Sequence, residues 1–195
     1  MVHKVVNKKI ILASGSKWRR RLMKKWNIPC EVYVTDFEEI KKGEPRKVVM
    51  YNAVGKATET AKRFPDSIVI GVDTIGVLKK EILTKPDDRA HAREMLKKLS
   101  GSTHEVLTGL CLIYKAQRKK KTLVVRTGVT FKKVSDAAIE KYLSSGQWKG
   151  KAGAYAIQGR AKGFVDEIDG DFTNVVGLPM LTLIKILKSW HEVVD

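Results

Sequence analysis

The stretch SIVIGVDTIGVL, Ser67 to Leu78, constrains the fold of this chain more than any other. It is rich in β-branched residues and apolar almost throughout, the pattern of a central strand buried on both faces. Such a strand needs packing partners above and below, so the expectation is an α/β fold with a mixed central sheet flanked by helices. One residue breaks the run, Asp73. A buried carboxylate costs several kcal/mol unless it is paired or bound to a metal. Asp73 is therefore read as functional or as structurally paired, and Lys85, just before a helix expected from Pro86-Asp87, is its candidate counter-charge or a phosphate ligand.

The remaining periodicities fit around that strand. Ile10 to Ala13 reads as a short apolar strand, Lys17 to Trp26 as a helix, and EVYVTD (Glu31 to Asp36) alternates as a strand does. From Val48 to Phe64, helical spacing puts Met50, Ala53, Val54, Ala57, Ala61 and Phe64 on one face. Ala92, Met95, Leu96 and Leu99 recur at i, i+3, i+4 and i+7 before a stop at Ser100-Gly101. Asp136 is expected to cap a helix to Ser145. A last helix is expected from Leu178-Pro179, with Leu183, Ile186, Leu187 and Trp190 on its face. No repeat or linker interrupts the chain, which is read as a single domain, residues 1–195.

Composition enters where partners are concerned. The formal net charge of +17 favours polyanions of any kind, from nucleic acid to phosphorylated small molecules. The densest basic run, KAQRKKK at Lys115 to Lys121, lies between two strand-like segments and reads as a solvated hairpin loop. Cys30 and Cys111 sit in apolar runs without metal-ligand spacing, as reduced core thiols do, which favours an intracellular compartment. The N-terminal residues lack a signal-peptide pattern, and no run approaches the ~20 apolar residues of a membrane span. The expectation is a soluble, cytoplasmic protein without a membrane partner.

A second stretch, ILASGSKWRRRL (Ile11 to Leu22), ends a strand in a small-residue turn and starts a helix with three arginines. Backbone N–H groups at a helix start, serine hydroxyls and arginine forks are the donors that phosphate oxygens require. Ser16 as a simple helix cap and arginines as a solvated face are the alternative. The GxxxxGK[ST] spacing of a P-loop is absent. In VTDFEEI, Asp36, Glu38 and Glu39 are either solvated loop acids or the carboxylates of a Mg²⁺ or Mn²⁺ position beside a phosphate site.

Several motifs recur in a fixed order: LASGSKWRR at 12–20, Glu38-Glu39, NAVGKA at 52–57, IGVDT followed by LTKP, LSG at 99–101, HEVLTG at 104–109, KAGAYAIQG at 151–159 and NVVGLPM at 174–180. Through them nearly the whole chain resembles the Maf-type nucleotide pyrophosphatases, a family that also occurs fused as the N-terminal part of acetylserotonin O-methyltransferase-like proteins. One departure is Lys17, where the family usually has proline.

The resemblance implies an α/β fold of two lobes with a nucleotide cleft beside a central sheet, often as a homodimer. It implies hydrolysis of a nucleoside triphosphate between its α and β phosphates, releasing monophosphate and pyrophosphate in the house-cleaning of nucleotide pools. Asp73 matches the proton acceptor. Ser14, Ser16, Arg19, Lys56 and Lys85 match polar and basic cleft residues. Glu39, with Asp73, matches the acidic residues around a divalent cation, Mg²⁺ or Mn²⁺. Whether Asp73 takes the proton or holds the metal stays open, and so does solvent exposure of Lys56, which lies beside its helix's apolar stripe. Trp18, Thr74 and Gln158 fall where the family distinguishes substrates. Thr74 and Gln158 match members preferring dTTP and UTP, with CTP and modified pyrimidine nucleotides as further candidates; Trp18 resembles members acting on 7-methyl-GTP. The two polar residues decide for pyrimidines, since hydrogen bonding discriminates bases more sharply than stacking. Two rival classes are a nucleic-acid-binding module, for which no motif stands out and which gives no reason for Asp73 in a buried strand, and a regulatory protein using the same fold without catalysis, against which intact Asp73, Lys85 and Glu39 argue.

Overall fold

The computed structural model describes residues 8–190 in full, together with the short strands β1 (Lys4–Val5) and β9 (Val193–Val194), which pair antiparallel. Between them run β2 (Ile10–Ala13), α1 (Lys17–Lys25), β3 (Glu31–Val32), α2 (Pro45–Arg63), β4 (Ile68–Leu78), β5 (Glu81–Leu83), α3 (Arg89–Leu99), β6 (Thr103–Tyr114), β7 (Lys119–Phe131), α4 (Asp136–Leu143), β8 (Val165–Asp169), α5 (Phe172–Val176) and α6 (Met180–Ser189). The main sheet has seven strands in the order β3-β2-β4-β6-β7-β8, with β5 on β4. It is mixed: β2 is parallel to β3 and β4, whereas β5 and β8 are antiparallel to their neighbours β4 and β7. The expected α/β class with a mixed, helix-flanked sheet is thus the class observed. The chain divides into two compact units, one of Met1–Thr74, Thr108–Val125 and Gly177–Asp195, the other of Ile75–Leu107 and Arg126–Val176.

In the first unit all four residues of β2 are buried, and its register with β4 runs from Ile10↔Ile68 to Ala13↔Gly71. That register brings Ser14, the next residue, level with Val72 and Asp73. α2 begins with Pro45 at its first position, and Glu44 caps it by accepting the N–H groups of Arg46 and Lys47. Its inner face is Val48, Val49, Asn52, Ala53, Lys56, Ala57, Thr60 and Ala61. Met50 and Val54, expected inside, are only half-buried. The stripe is rotated because Asn52 and Lys56 find polar partners inside, which hydropathy alone cannot register. Ala53, Ala57 and Ala61 pack with Ile11, Ala13, Val69 and Cys111.

Two glycines let α2 approach the sheet. A Cβ at Gly71 in β4 would stand 2.1 Å from the carbonyl oxygen of Ala53, and one at Gly109 in β6 would stand 2.2 Å from that of Val49. Both distances are far below contact, so only glycine fits under the helix.

Other details depart from the sequence reading. EVYVTD pairs only over Glu31–Val32, because β3 is the edge strand and its partner β2 is itself short. Residues 115–118 form the exposed turn between β6 and β7, with Arg118 in the left-handed region at φ 51°, but Lys119 to Lys121, expected in the loop, already belong to β7. Both cysteines are free; Cys111 is in the core, where burial pushes its thiol up to about 11, while Cys30 is only half-buried. α6 buries Leu183, Ile184, Ile186 and Leu187, with Trp190 at its end half-buried.

In the second unit α3 buries the expected Ala92, Met95, Leu96 and Leu99, but it starts later than Pro86 implied: Asp88 caps it, its carboxylate accepting the N–H of His91. This face meets Ile139, Tyr142, Leu143 and Trp148. α4 is capped by Ser135 rather than Asp136, which is its first helical residue. His104, only 1% exposed, lies 2.7 Å from the Tyr155 hydroxyl and packs edge-on against Phe131 and Tyr155. Burial pushes its pKa down to about 4, so it is a neutral core residue. Among the described residues no helix is long and apolar enough to cross a membrane.

Candidate active site

Asp73 lies on β4, buried, at the point where the strand leaves the first unit's core. The charge that a buried carboxylate needs comes from α2. Asn52 and Lys56, four residues apart, share one side of that helix. The Asn52 amide donates to Asp73 Oδ2 at 2.9 Å, and the Lys56 ammonium meets Asp73 Oδ1 at 3.2 Å. Lys56 also donates to Glu39 Oε1 at 2.7 Å. It is buried, so the solvent-exposed alternative is set aside. One ammonium therefore bridges two carboxylates, the buried Asp73 and the more open Glu39.

The loop carrying Glu39 is tied down at neighbouring positions. Asn52 accepts the Ile40 N–H through Oδ1 and donates to the Ile40 carbonyl through Nδ2, both at 2.9 Å. The Phe37 ring fills the space over Gly55, where a Cβ would come within 2.0 Å of it. Asp36 and Glu38, the other acids of the cluster, are exposed.

Beside this cluster, Arg19 is anchored within the same unit. It donates to the Ser14 hydroxyl (2.8 Å), the Val72 carbonyl (3.1 Å), the Thr74 hydroxyl (3.0 Å) and the Gly177 carbonyl (2.8 Å). Four of its five N–H groups are thus engaged by neutral acceptors. Burial works against its charge, and the nearby carboxylates of Asp73 and Glu39 oppose that effect. Thr74 also meets the hydroxyl of Thr108 at 2.9 Å and donates to Gly177. Its oxygen is saturated by protein groups. Ser16 caps α1 by accepting the Arg19 N–H, and Lys17 occupies the first helical position without disturbing the helix start. Ser14 accepts from the Ser16 N–H as well. The turn hydroxyls therefore serve the helix start and the guanidinium together. Trp18 is half-buried, with the Arg21 guanidinium 4.7 Å from its ring centre.

Of the residues expected at a site, Ser14, Ser16, Arg19, Glu39, Lys56, Asp73 and Thr74 form one linked set in the first unit. Lys85 and Gln158 belong to the second unit, Lys85 exposed and Gln158 half-buried. Asn52 and Thr108 were not anticipated. Asn52 stood within the NAVGKA motif, beside the apolar stripe of its helix, and that motif was the available signal. No group of three or more metal-binding side chains occurs among the described residues. Chemically, the set offers a fixed carboxylate with basic groups around it, as proton abstraction beside a polyanion requires.

The family of Maf-like proteins matches residues 9–190. A dTTP/UTP pyrophosphatase of Bacillus cytotoxicus is 44% identical over 187 residues, which is 95% of this chain and 97% of that protein. One of Bacillus cereus is 43% identical over 186 residues, 94% of this chain and 91% of the relative. One of Bacillus anthracis is 42% identical over 186 residues, 94% and 96%.

Proposed function

The chain belongs to the Maf family, and on that premise we propose that it is a nucleoside triphosphate pyrophosphatase acting on dTTP and UTP, with CTP and modified pyrimidine nucleotides as secondary substrates, in the cytoplasm. The observation that carries the reading is the buried Asp73, held by Asn52 and Lys56 in a strand that otherwise contains no charge. The names and high identity of the relatives support the same activity.

Hydrolysis needs a water aligned on the α-phosphorus, a base for its proton, and neutralisation of the departing pyrophosphate. Asp73 takes the proton, its orientation set by Asn52 on one oxygen and Lys56 on the other. Lys56 balances the buried carboxylate and adds positive field toward the phosphates. Arg19, fixed by four protein acceptors, contributes charge that needs no reorganisation during the reaction. Thr74 holds Arg19, and with its hydroxyl engaged by Arg19, Thr108 and Gly177 it is not placed to pair with the base as the resemblance implies; base reading then falls to Gln158. The family resemblance gives Lys85 a phosphate contact and Gln158 the reading of the base; charge-altering variants of each test this through KM and base preference.

Glu39 and Asp73 are hard oxygen donors on either side of one ammonium, and Mg²⁺ or Mn²⁺ is commonly held by one or two carboxylates with phosphate oxygens completing the shell. The donor set fits such an ion, with Glu39 the more accessible ligand. When bound, it supplies further charge neutralisation and a bound water of lowered pKa.

Trp18 does not redirect the reading to 7-methyl-GTP, because the Arg21 cation already lies over its ring and a cationic purine would meet that charge. The test is pyrophosphate release from a panel of dTTP, UTP, CTP, GTP and 7-methyl-GTP with Mg²⁺ or Mn²⁺. The expected order in kcat/KM places dTTP and UTP first, and Asp73→Asn should lower kcat by roughly two to four orders of magnitude. Near-normal turnover in a folded Asn variant removes Asp73 from its role; 7-methyl-GTP as best substrate removes the pyrimidine assignment.

A further inference from the structure

We propose that Asn52 is a positioning residue that sets the geometry of the Asp73 carboxylate and of the Glu39 loop at the same time. The inference rests on the pyrophosphatase reading of the site and adds to it a group that touches no reacting atom. The Asn52 side chain is 2% exposed and makes three hydrogen bonds of 2.9 Å: from the Ile40 N–H, to the Ile40 carbonyl, and to Asp73 Oδ2. This set needs one acceptor and two donors on a planar group of this reach. A leucine supplies none of them. An aspartate would set its charge against both Asp73 and the Ile40 carbonyl.

The three partners come from separate parts of the chain: Asn52 from α2, Asp73 from β4, and Ile40 from the loop between β3 and α2. Ile40 follows Glu39 directly, and Glu39 in turn shares Lys56 with Asp73. Asn52 and Lys56 therefore close a ring in which the distance between the two carboxylates is set twice, once through charge and once through a neutral amide. The neutral arm has a property the charged arm lacks. It holds the loop to the strand even when Lys56 turns its ammonium toward an incoming phosphate. Loss of the amide removes the neutral arm of that ring, and small misplacements of catalytic groups lower turnover strongly.

The experiment compares wild type, Asn52→Leu and Asn52→Asp by steady-state kinetics on dTTP and by amide hydrogen exchange resolved at Ile40. Asn52→Ser, too short to reach Ile40, serves in place of the leucine variant if that one folds poorly. Expected for Asn52→Leu are a kcat lower by roughly 10- to 100-fold with KM within about threefold, and exchange at Ile40 faster by at least about tenfold. Asn52→Asp should lose more turnover than Asn52→Leu. In an Asp73→Asn background, Asn52→Leu should lower the residual kcat by clearly less than in the wild-type background, since the part of its effect that passes through Asp73 is already lost. A kcat within twofold of wild type overturns the proposal. So does unchanged exchange at Ile40, or a full additional loss in the Asp73→Asn background. If wild type releases pyrophosphate from no nucleotide, the reading of the site fails, and the exchange result alone then upholds or overturns the clamp.

Discussion

Replacing Lys56 with methionine keeps most of the packing of the aliphatic stem and removes the ammonium, with its charge and its hydrogen bonds to Asp73 and Glu39. Lys56 is 7% exposed along its side chain, and its ammonium stands 3.2 Å from Asp73, itself 12% exposed, and 2.7 Å from Glu39, 46% exposed. Breaking a buried ion pair by deleting one partner costs about 3–5 kcal/mol, chiefly through the charge left behind. Two features lower that figure here. Glu39 is open enough to be rehydrated, so its loss counts for little. Asp73 keeps the amide of Asn52, a hydrogen bond to a charged group of the kind worth about 1.5–3 kcal/mol. A net destabilisation of about 2–3 kcal/mol follows for Lys56→Met. Urea unfolding at pH 8, followed by the fluorescence of the chain's four tryptophans, would show it as a midpoint lower by about 1 M. The decisive comparison is the double variant Lys56→Met/Asp73→Asn, which no longer contains the stranded carboxylate. It should recover more than half of the loss. A single variant within about 0.5 kcal/mol of wild type, or a double variant whose loss equals the sum of the two singles, would refute the electrostatic account of this cluster.

Three other outcomes are expected. His104 has a folded-state pKa of about 4 against an ordinary 6.5, so between those values the unfolded chain binds a proton that the folded chain refuses. Stability is then full above about pH 6.5 and falls as pH drops, by about 3 kcal/mol at pH 4, and His104→Gln should flatten that part of a urea-midpoint profile taken from pH 7.5 to 4.5. Glutamine in place of the exposed Lys115, Lys120 and Lys121 should leave dTTP turnover within about threefold, because exposed charges are screened beyond a Debye length; tight, salt-sensitive RNA binding lost in the same variant would favour a nucleic-acid role instead. Gln158→Glu exchanges an amide donor for a charged acceptor and should narrow the ratio of dTTP to GTP kcat/KM by roughly tenfold, a ratio unchanged in competition assays being the contrary result.

What could be read in advance divides along a physical line. β4 was legible because a strand covered on both faces is apolar nearly without interruption, and Asp73 was legible as the exception. α3 was legible because its inner face contains only apolar residues. α2 was read a step out of phase for the opposite reason: Asn52 and Lys56 count as outward-facing on any hydropathy scale, yet the strand beneath supplies the partners that allow them inside. The edge strand β3 was overextended, since alternation reports which way side chains point and not how many partners a backbone has. β5 and β8 went unread, being short and without a fully buried residue. Within the site, residue types could be matched to motifs, but the division of labour could not. That Arg19 and Thr74 satisfy each other depends on the carbonyls of Val72 and Gly177, which no side-chain pattern encodes.

The two glycines beneath α2 have a consequence for how this protein can change. With Gly71 and Gly109 under it, the helix rests on backbone, and its height above the sheet is set by the thickness of peptide groups. Asn52 and Lys56 reach Asp73 across that gap. The working distance of the cluster is therefore not a variable that mutation can tune in small steps: any side chain at either glycine lifts the whole helix, and nothing smaller exists to lower it. Drift in a lineage that keeps these glycines has to proceed through groups at the margin, such as Trp18 or the loop around Phe37, while the spacing between helix and carboxylate is inherited unchanged.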